Sequence, residues 1–224
     1  MLHKETVADG TLNLIKQLSS LEELADFRLV GGTALSLQIG PRMSVDIDFF
    51  TDKSFLPEQI ADKLKASFNA ENVILKGNAI SCKINGVKID IVKEPVPFVK
   101  PAVKIEDVRM ATVDEIGGMK LHLMWDRGHR MKDFVDMYFI LEHKSLNECA
   151  NTCLQKYPVM DRQKINSAMA YHHDIKFDYQ PHLLRGDIHW KKMAARLQKA
   201  VKFPDRRFLP EMVKQMKSKR PKKK

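Results

Sequence analysis

Two aspartates, Asp46 and Asp48, lie one residue apart in the segment Asp46-Ile47-Asp48-Phe49-Phe50. On a β-strand both carboxylates would project from one face, while Ile47 and Phe49 would point into the core. Two carboxylates this close repel each other unless a cation lies between them. Their hard oxygen ligands favour Mg²⁺ or Mn²⁺ over zinc. The pair therefore predicts a divalent-metal site, although spaced acids on a strand often bind no metal.

A glycine turn, Gly31-Gly32, precedes these acids. The apolar run at residues 27–30 predicts a buried strand that ends at the turn, and residues 33–38 have helical periodicity. A turn that leads into a helix N-terminus offers unpaired backbone N–H groups and a positive dipole end, which suit a nucleotide phosphate. Thr33 could cap this helix or contact the phosphate. Acids beside a phosphate-binding turn predict phosphoryl or nucleotidyl transfer.

The order and spacing of these motifs resemble the nucleotidyltransferase superfamily related to DNA polymerase β, and within it the AbiEii/AbiGii type of abortive-infection toxin. The resemblance is carried by Gly31-Gly32-Thr33-Ala34-Leu35 and by Arg42, Ser44 and Asp46-x-Asp48. It implies transfer of a nucleoside monophosphate from a nucleoside triphosphate to an acceptor hydroxyl, with Mg²⁺ or Mn²⁺ as cofactor. It implies metal ligation by Asp46 and Asp48, and nucleotide binding by Gly31, Gly32, Thr33, Arg42 and Ser44.

The resemblance also implies a third catalytic and metal-binding acid on a later strand, and Asp90 in the alternating segment 87–92 fits that position. The dipeptide Asn85-Gly86 predicts a two-residue hairpin that pairs residues 79–84 with this strand. Without the other motifs, Asp90 would be read as an exposed strand acid that balances Lys88.

A second charged cluster follows in residues 117–138. The family resemblance implies Lys120 as a triphosphate ligand and Asp133 as a functional acid. Arg127 and Lys132 would either neutralise phosphate charge or form surface ion pairs with Asp126 and Asp136. For Asp136, a structural role near the start of a helix is favoured.

Glycines inside a helical pattern, as at Gly117-Gly118, lower helix propensity by about 1 kcal/mol each relative to alanine. Either this helix closely approaches the sheet or bound nucleotide, or it begins later, near Gly118. The three cysteines lack metal-site spacing and are expected to be reduced; Cys149 and Cys153, four apart, are expected to pack as small apolar residues. His122 is interpreted as a surface histidine.

The predicted fold class is α+β: a small mixed β-sheet nucleotidyltransferase core with flanking helices, followed by a C-terminal helical domain. The predicted boundaries are 1–112 for the core, 113–201 for the helical domain and 202–224 for a basic tail. Residues 93–112 contain three prolines and are interpreted as a seam with a short strand at 108–111. Helices are predicted at 11–18, 57–68, 113–126, 131–143, 145–156, 161–172, 187–201 and 207–217.

Composition sets the remaining expectations. The chain has 224 residues, 44% of them hydrophobic, and a net charge of +10, most of it in residues 202–224. It contains no run of about 18 apolar residues and begins without a signal-peptide core, so a cytoplasmic protein without membrane contact is expected. The basic tail would either attract a nucleic-acid backbone or only solubilise the chain.

We expect RNA, specifically the tRNA 3′ end, as the acceptor, on resemblance and charge. The main alternative is nucleotidylation, such as AMPylation, of a protein or small molecule, and the third is a catalytically silent nucleic-acid-binding relative. The resemblance further implies a cognate antitoxin.

Overall fold

One seven-stranded mixed sheet forms the core of the N-terminal half in this computed structural model, which describes residues 1–128, 130–177 and 180–210. The strand order is β3-β4-β5-β2-β1-β7-β6. In chain order the strands are β1 (Arg28–Leu29), β2 (Ile47–Thr51), β3 (Glu71–Leu75), β4 (Ala79–Ile84), β5 (Val87–Lys93), β6 (Val103–Ile105) and β7 (Val108–Met110).

Helices flank this sheet and make up nearly all of the described chain after residue 112. They are α1 (Thr11–Ser19), α2 (Gly31–Ile39), α3 (Pro57–Phe68), α4 (Val113–Asp126), α5 (Met131–His143), α6 (Leu146–Lys156), α7 (Arg162–Ala170) and α8 (Trp190–Lys202), with 3₁₀ turns at Lys4–Thr6 and Glu22–Leu24. The predicted α+β class with a mixed sheet is confirmed. The proposed boundaries at residues 112 and 201 stay predictions.

The middle of the sheet forms as the sequence pattern predicts. Ile47 and Phe49 of β2 and Ile89 of β5 are buried, so their strands present alternate residues to the core. Asn85 and Gly86 have φ of 51° and 78°, the left-handed values of a type I′ hairpin turn. This turn sets the antiparallel register of β4 and β5, and β5 in turn pairs in parallel with β2.

The short strand predicted at 108–111 is confirmed as β7, whereas β6 was not predicted. Strands β6 and β7 pair antiparallel through a turn at Glu106 and Asp107, and β7 joins the sheet beside β1. The three prolines of residues 93–112 all lie within residues 95–101, so they disfavour regular structure only there. The edge strand β3 was also not predicted, because it is largely exposed on both faces and lacks an alternating pattern.

Close packing of α4 against α6 explains Gly117-Gly118. A Cβ atom on Gly118 would lie 2.9 Å from the backbone nitrogen of Cys153, and one on Gly117 would lie 2.5 Å from the Cys149 Sγ atom. Both alternatives from the sequence are therefore wrong: α4 begins at Val113, and its close partner is a helix rather than the sheet or a nucleotide. The two cysteines are buried free thiols that accept this approach, as expected.

Most predicted helices match the structure to within a few residues. Residues 206–210 are not helical, and the rest of the helix predicted at 207–217 lies outside the described residues, as does most of the basic tail. Within the described ranges, no helix has the length and apolar character that crossing a membrane requires.

Candidate active site

The three predicted acids meet at the start of two neighbouring parallel strands. Asp48 on β2 lies directly opposite Asp90 on β5, and Asp46 immediately precedes β2. Ser81 on β4 donates a hydrogen bond from Oγ to Oδ1 of Asp90 at 2.7 Å, and Lys88 forms an ion pair with the same carboxylate. Asp90 therefore has both its predicted place beside Asp48 and the ion pair with Lys88 that the alternative interpretation expected.

Crowding of these acids perturbs Asp48 strongly. Burial raises the pKa of Asp48 to about 6, and the charges of Asp90 and Asp46 add to this effect against the opposing charges of Lys120 and Lys132. A cation bound between the carboxylates would oppose this rise, because it favours their ionised forms. Oxygen donors of this kind fit Mg²⁺ or Mn²⁺ in their chemistry. Among the described side chains, however, no group of three or more His, Cys, Asp or Glu is already arranged to hold a metal.

Both glycines of the predicted phosphate turn are required by close approach to site residues. Gly31 has φ of 68°, and a Cβ atom there would collide with the Asp48 carboxylate. A Cβ atom on Gly32 would collide with the Arg42 guanidinium and lie 3.3 Å from the Ser44 Oγ atom. The turn, the metal-binding candidate Asp48 and the pair Arg42 and Ser44 therefore form one compact unit at the N-terminus of α2.

Thr33 does not cap α2, so that alternative is wrong, and its contact with a nucleotide stays a prediction. The N-cap residue is Val30, without a side-chain cap, because the helix already begins at Gly31. Thr33 is instead buried, with its hydroxyl 2.8 Å from the Ser44 Oγ atom and in contact with the backbone carbonyl of Asp46. It thereby fixes the loop that presents Asp46 to the site.

A buried chain of alternating charges connects this loop with α4 and α5. Arg42 donates from Nε and Nη2 to the two oxygens of Asp136, at 2.7 and 3.0 Å. The Lys120 Nζ atom lies 2.8 Å from Oδ2 of Asp136 and 2.5 Å from Oδ1 of Asp133. The Arg130 Nε atom lies 3.4 Å from Oδ2 of Asp133. Asp136 thus has the structural role favoured from the sequence, and Asp133 belongs to the same network.

The ionised state of this network follows from its mutual pairing. Burial alone would raise the pKa of Asp136, but the charges of Arg42 and Lys120, with their hydrogen bonds, lower it to about 2. Burial would lower the pKa of Lys120, yet Asp136 and Asp133 raise it overall. Asp136 and Lys120 therefore stay charged at neutral pH, and Asp136 holds Arg42 and Lys120 in place at the site.

Arg127 and Lys132 differ in their partners. The Arg127 Nε atom lies 3.4 Å from Oδ2 of Asp126, as one alternative expected. Lys132 does not pair with Asp136, because Asp136 is enclosed by Arg42 and Lys120; its Nζ atom instead lies 3.9 Å from Oδ2 of Asp46. Burial, followed by the charges of Arg130 and Lys120, lowers the pKa of Lys132. This part of the site therefore has an excess of positive charge.

A cavity of about 740 Å³ brings the acidic and basic parts together. This volume lies within the range of about 300–1,000 Å³ that is typical of small-molecule sites. Ten of the predicted site residues line it: Gly31, Gly32, Arg42, Ser44, Asp46, Asp48, Asp90, Lys120, Arg127 and Lys132. Thr33 and Asp133 do not line it and support residues that do.

The sequence interpretation missed several cavity residues, among them Lys88, Glu94, Arg130 and Tyr157. His122, expected at the surface, is half-buried and stacks on Tyr157 with ring centroids 4.0 Å apart and planes 10° from parallel. On α4, residues 116, 119, 123, 126 and 127 lie on the same helical face as Lys120, and His122 flanks that face. This periodicity could have indicated that His122 lies at the site. No local signal in the sequence points to Glu94.

Solved structures support the fold. Two crystal structures from Helicobacter pylori are similar to this chain at 21% identity, one of a protein assigned as a nucleotidyltransferase and one of JHP933. The first has a TM-score of 0.56 over 88% of this chain and 96% of the other, and the second 0.55 over 89% and 93%. At this identity the similarity shows a shared fold, in which the paired acids of this chain lie beside a glycine turn in one cavity.

The family follows from the sequence match. The family model for the nucleotidyltransferase AbiEii toxin of type IV toxin–antitoxin systems matches residues 14–211, so the chain belongs to this family. An uncharacterised protein from Aquifex aeolicus (strain VF5) is 25% identical over 194 residues, which cover 84% of this chain and 92% of that protein. The resemblance that the motifs indicated is confirmed.

Proposed function

We propose that this nucleotidyltransferase moves a nucleoside monophosphate from a nucleoside triphosphate to a hydroxyl group of RNA, with the tRNA 3′ end as acceptor. One observation carries the proposal: opposite electrostatic imbalances meet in one cavity. Burial and then the charges of Asp90 and Asp46 raise the pKa of Asp48, whereas burial and then neighbouring cations lower that of Lys132. A triphosphate with a divalent cation would relieve both imbalances, because it brings negative charge to the lysine and positive charge to the aspartates.

The triphosphate would lie against the glycine turn. Backbone N–H groups at the start of α2 favour an anion there, and Ser44 can donate its hydroxyl. Lys132 and Arg127 are the more accessible cations and would contact phosphate oxygens directly. Arg42 and Lys120, which are paired with buried carboxylates, would act chiefly through the positive field that they hold beside the turn.

Asp46, Asp48 and Asp90 would hold a divalent cation, Mg²⁺ or Mn²⁺, whose charge would stabilise the triphosphate and the leaving pyrophosphate. The acceptor oxygen would bond to the α-phosphorus as the bond to pyrophosphate breaks. Asp90, on the strand beside Asp48, would take the proton of the acceptor hydroxyl. Positioning and charge neutralisation would supply most of the rate enhancement.

Two features support a polyanionic acceptor. The cavity has Arg127 and Lys132 on its wall, in addition to the cations that the buried acids Asp133 and Asp136 neutralise. The chain as a whole carries a net charge of +10, which favours association with nucleic acid. Family membership further supports a cognate antitoxin that opposes this activity in the cell.

The test is incubation of the protein with each α-labelled nucleoside triphosphate, Mg²⁺ and a cell extract that contains RNA and protein. Asp46→Ala should abolish labelling, since Asp46 is a proposed metal ligand, and it should leave the protein folded because the side chain is partly exposed. Asp62→Ala, an exposed acid on α3, is the charge-matched control and should label normally.

The location of the label decides between the hypotheses. Label in RNA, at the tRNA 3′ end, is the expected result. Label in protein or in a small molecule would replace RNA by the alternative acceptors, and no nucleotide consumption would indicate a silent binding protein. Full activity of Asp46→Ala would refute the proposed site.

A further inference from the structure

One wall of the cavity has no part in the proposed phosphate chemistry. It is formed by Glu94 just after β5, His122 on α4 and Tyr157 just after α6. We call these three residues the side wall. They combine a buried carboxylate with a flat aromatic surface, and the ligand chemistry that they fit can be derived from their contacts.

Glu94 is the hydrogen-bond acceptor of the side wall. Only 7% of the residue is exposed, and none of the described residues donates a hydrogen bond to its carboxylate, although that carboxylate borders the cavity. Burial raises the pKa of Glu94, the charge of Lys156 opposes the shift only in part, and the charge of Glu115 adds to it. The Glu94 oxygens are not among the fully enclosed atoms without a partner in the described part of the chain, so a ligand can reach them. A ligand that donates an N–H to this partly desolvated carboxylate would be stabilised there.

The position of Glu94 is fixed from both sides. Its backbone N–H donates to the carbonyl of Thr51 at 2.7 Å, which ties it to the end of β2. The segment that follows is held by Lys156, whose Nζ atom donates to the carbonyls of Val96 and Pro97 at 3.2 and 3.0 Å. Glu94 therefore presents its carboxylate from a supported backbone, as a recognition group requires.

His122 and Tyr157 supply the aromatic part. Their rings are nearly parallel at a centroid distance of 4.0 Å, and both line the cavity. Burial lowers the pKa of His122, so its ring is neutral at neutral pH. Stacking on aromatic side chains is a sequence-tolerant way to bind a nucleobase, because every base has a π-face.

We propose that the side wall is the base subsite of the nucleoside triphosphate, in which Glu94 accepts a hydrogen bond from an amino group of the base while the His122–Tyr157 pair packs against the base. This inference rests on the proposed function, which supplies the nucleotide. Adenine, cytosine and guanine carry an exocyclic amino group, whereas uracil has carbonyl oxygens at the corresponding positions. The one donor on this edge of uracil, N3–H, lies between two carbonyl oxygens that repel a carboxylate. Glu94 therefore selects amino-bearing nucleotides over UTP.

Equilibrium binding of ATP, CTP, GTP and UTP, each with Mg²⁺, tests this selection without any acceptor. For the unmodified protein, the best-bound amino-bearing nucleotide should bind about tenfold or more tightly than UTP, as expected for a hydrogen bond to a buried charged acceptor. Glu94→Gln should reduce this ratio to about threefold or less, because the amide can donate to the uracil carbonyl. Glu58→Gln, an exposed glutamate on α3, should leave the ratio unchanged.

The stacking pair is tested separately. His122→Ala should weaken all four nucleotides by a similar factor, and His122→Phe should restore binding, because stacking does not distinguish the bases. The proposal is overturned if UTP binds as tightly as the other three, or if Glu94→Gln weakens all four equally. Binding of all four nucleotides without preference would refute only the assignment of the side wall as the base subsite. Failure of every nucleotide to bind would refute the proposed function as well.

Discussion

The charge of Asp136 links the sheet region to the helices, and its removal tests that link. Its carboxylate is fully buried, 2.7 Å from the Arg42 Nε atom and 2.8 Å from the Lys120 Nζ atom. Asp136→Asn preserves the shape of the side chain but removes the charge that both cations share. Loss of one partner from a buried ion pair costs about 3–5 kcal/mol, a large fraction of the roughly 5–15 kcal/mol by which a typical domain is stable.

The pKa of Asp136 gives a second estimate. It lies at about 2 in the folded protein against an ordinary 3.8. Since a tenfold change in proton affinity corresponds to about 1.4 kcal/mol, ionised Asp136 stabilises the fold by about 2 kcal/mol at neutral pH. The estimate of about 2 kcal/mol describes protonation of Asp136, which leaves its two hydrogen-bonding oxygens in place. Asparagine keeps one of those oxygens, so we expect a loss of about 2–4 kcal/mol.

Urea denaturation at pH 7, followed by circular dichroism, measures this loss. The control is Asp62→Asn, which removes an exposed acid 3.4 Å from Lys65 and should change the free energy of unfolding by no more than about 0.5 kcal/mol. Because the folded-state pKa of Asp136 is the lower one, its contribution is complete above about pH 4 and disappears as the pH falls towards 2. The loss should therefore be the same at pH 5 and smaller at pH 3. A loss below about 1 kcal/mol at pH 7, or equal losses in both variants, would refute the reasoning.

Three further predictions concern helix packing and the acid pair. Gly118→Ala should cost about 1–3 kcal/mol in the free energy of unfolding, despite the better helix propensity of alanine, because its Cβ atom would lie 2.9 Å from backbone of α6. In contrast, Gly117→Ala meets a side chain, so Cys149→Ala should partly rescue it in a double-mutant cycle, and additive losses would contradict the contact. Asp48→Asn should stabilise the metal-free protein more at pH 8 than at pH 4, since the raised pKa of Asp48, about 6, means that stability is lost as the pH rises through that value. Thermal unfolding with a chelator measures this, and an equal effect at both pH values would contradict it.

Local sequence patterns identified the parts of the site that depend on local geometry. The hairpin at Asn85-Gly86 and the alternation of β2 and β5 follow from turn chemistry and side-chain period, and together they bring Asp48 opposite Asp90. The edge strand β3 could not be predicted, because pairing with β4 rather than burial stabilises it. Contacts between residues distant in sequence could not be predicted either. No pattern indicates that Arg42 pairs with Asp136, 94 positions later, or that Glu94 lines the same cavity.

Arg42 explains why the glycine turn, the acids and the helices must be considered together. Its guanidinium leaves no room for a Cβ atom at Gly32, and two of its nitrogens bind Asp136 on α5. Asp136 also holds Lys120 on α4, which faces the acids and opposes the rise in the pKa of Asp48. The buried network thus supplies, at fixed positions, positive charge that the acid cluster needs. A perturbation of α4 or α5 would therefore alter the electrostatics of the glycine turn without contact with a nucleotide.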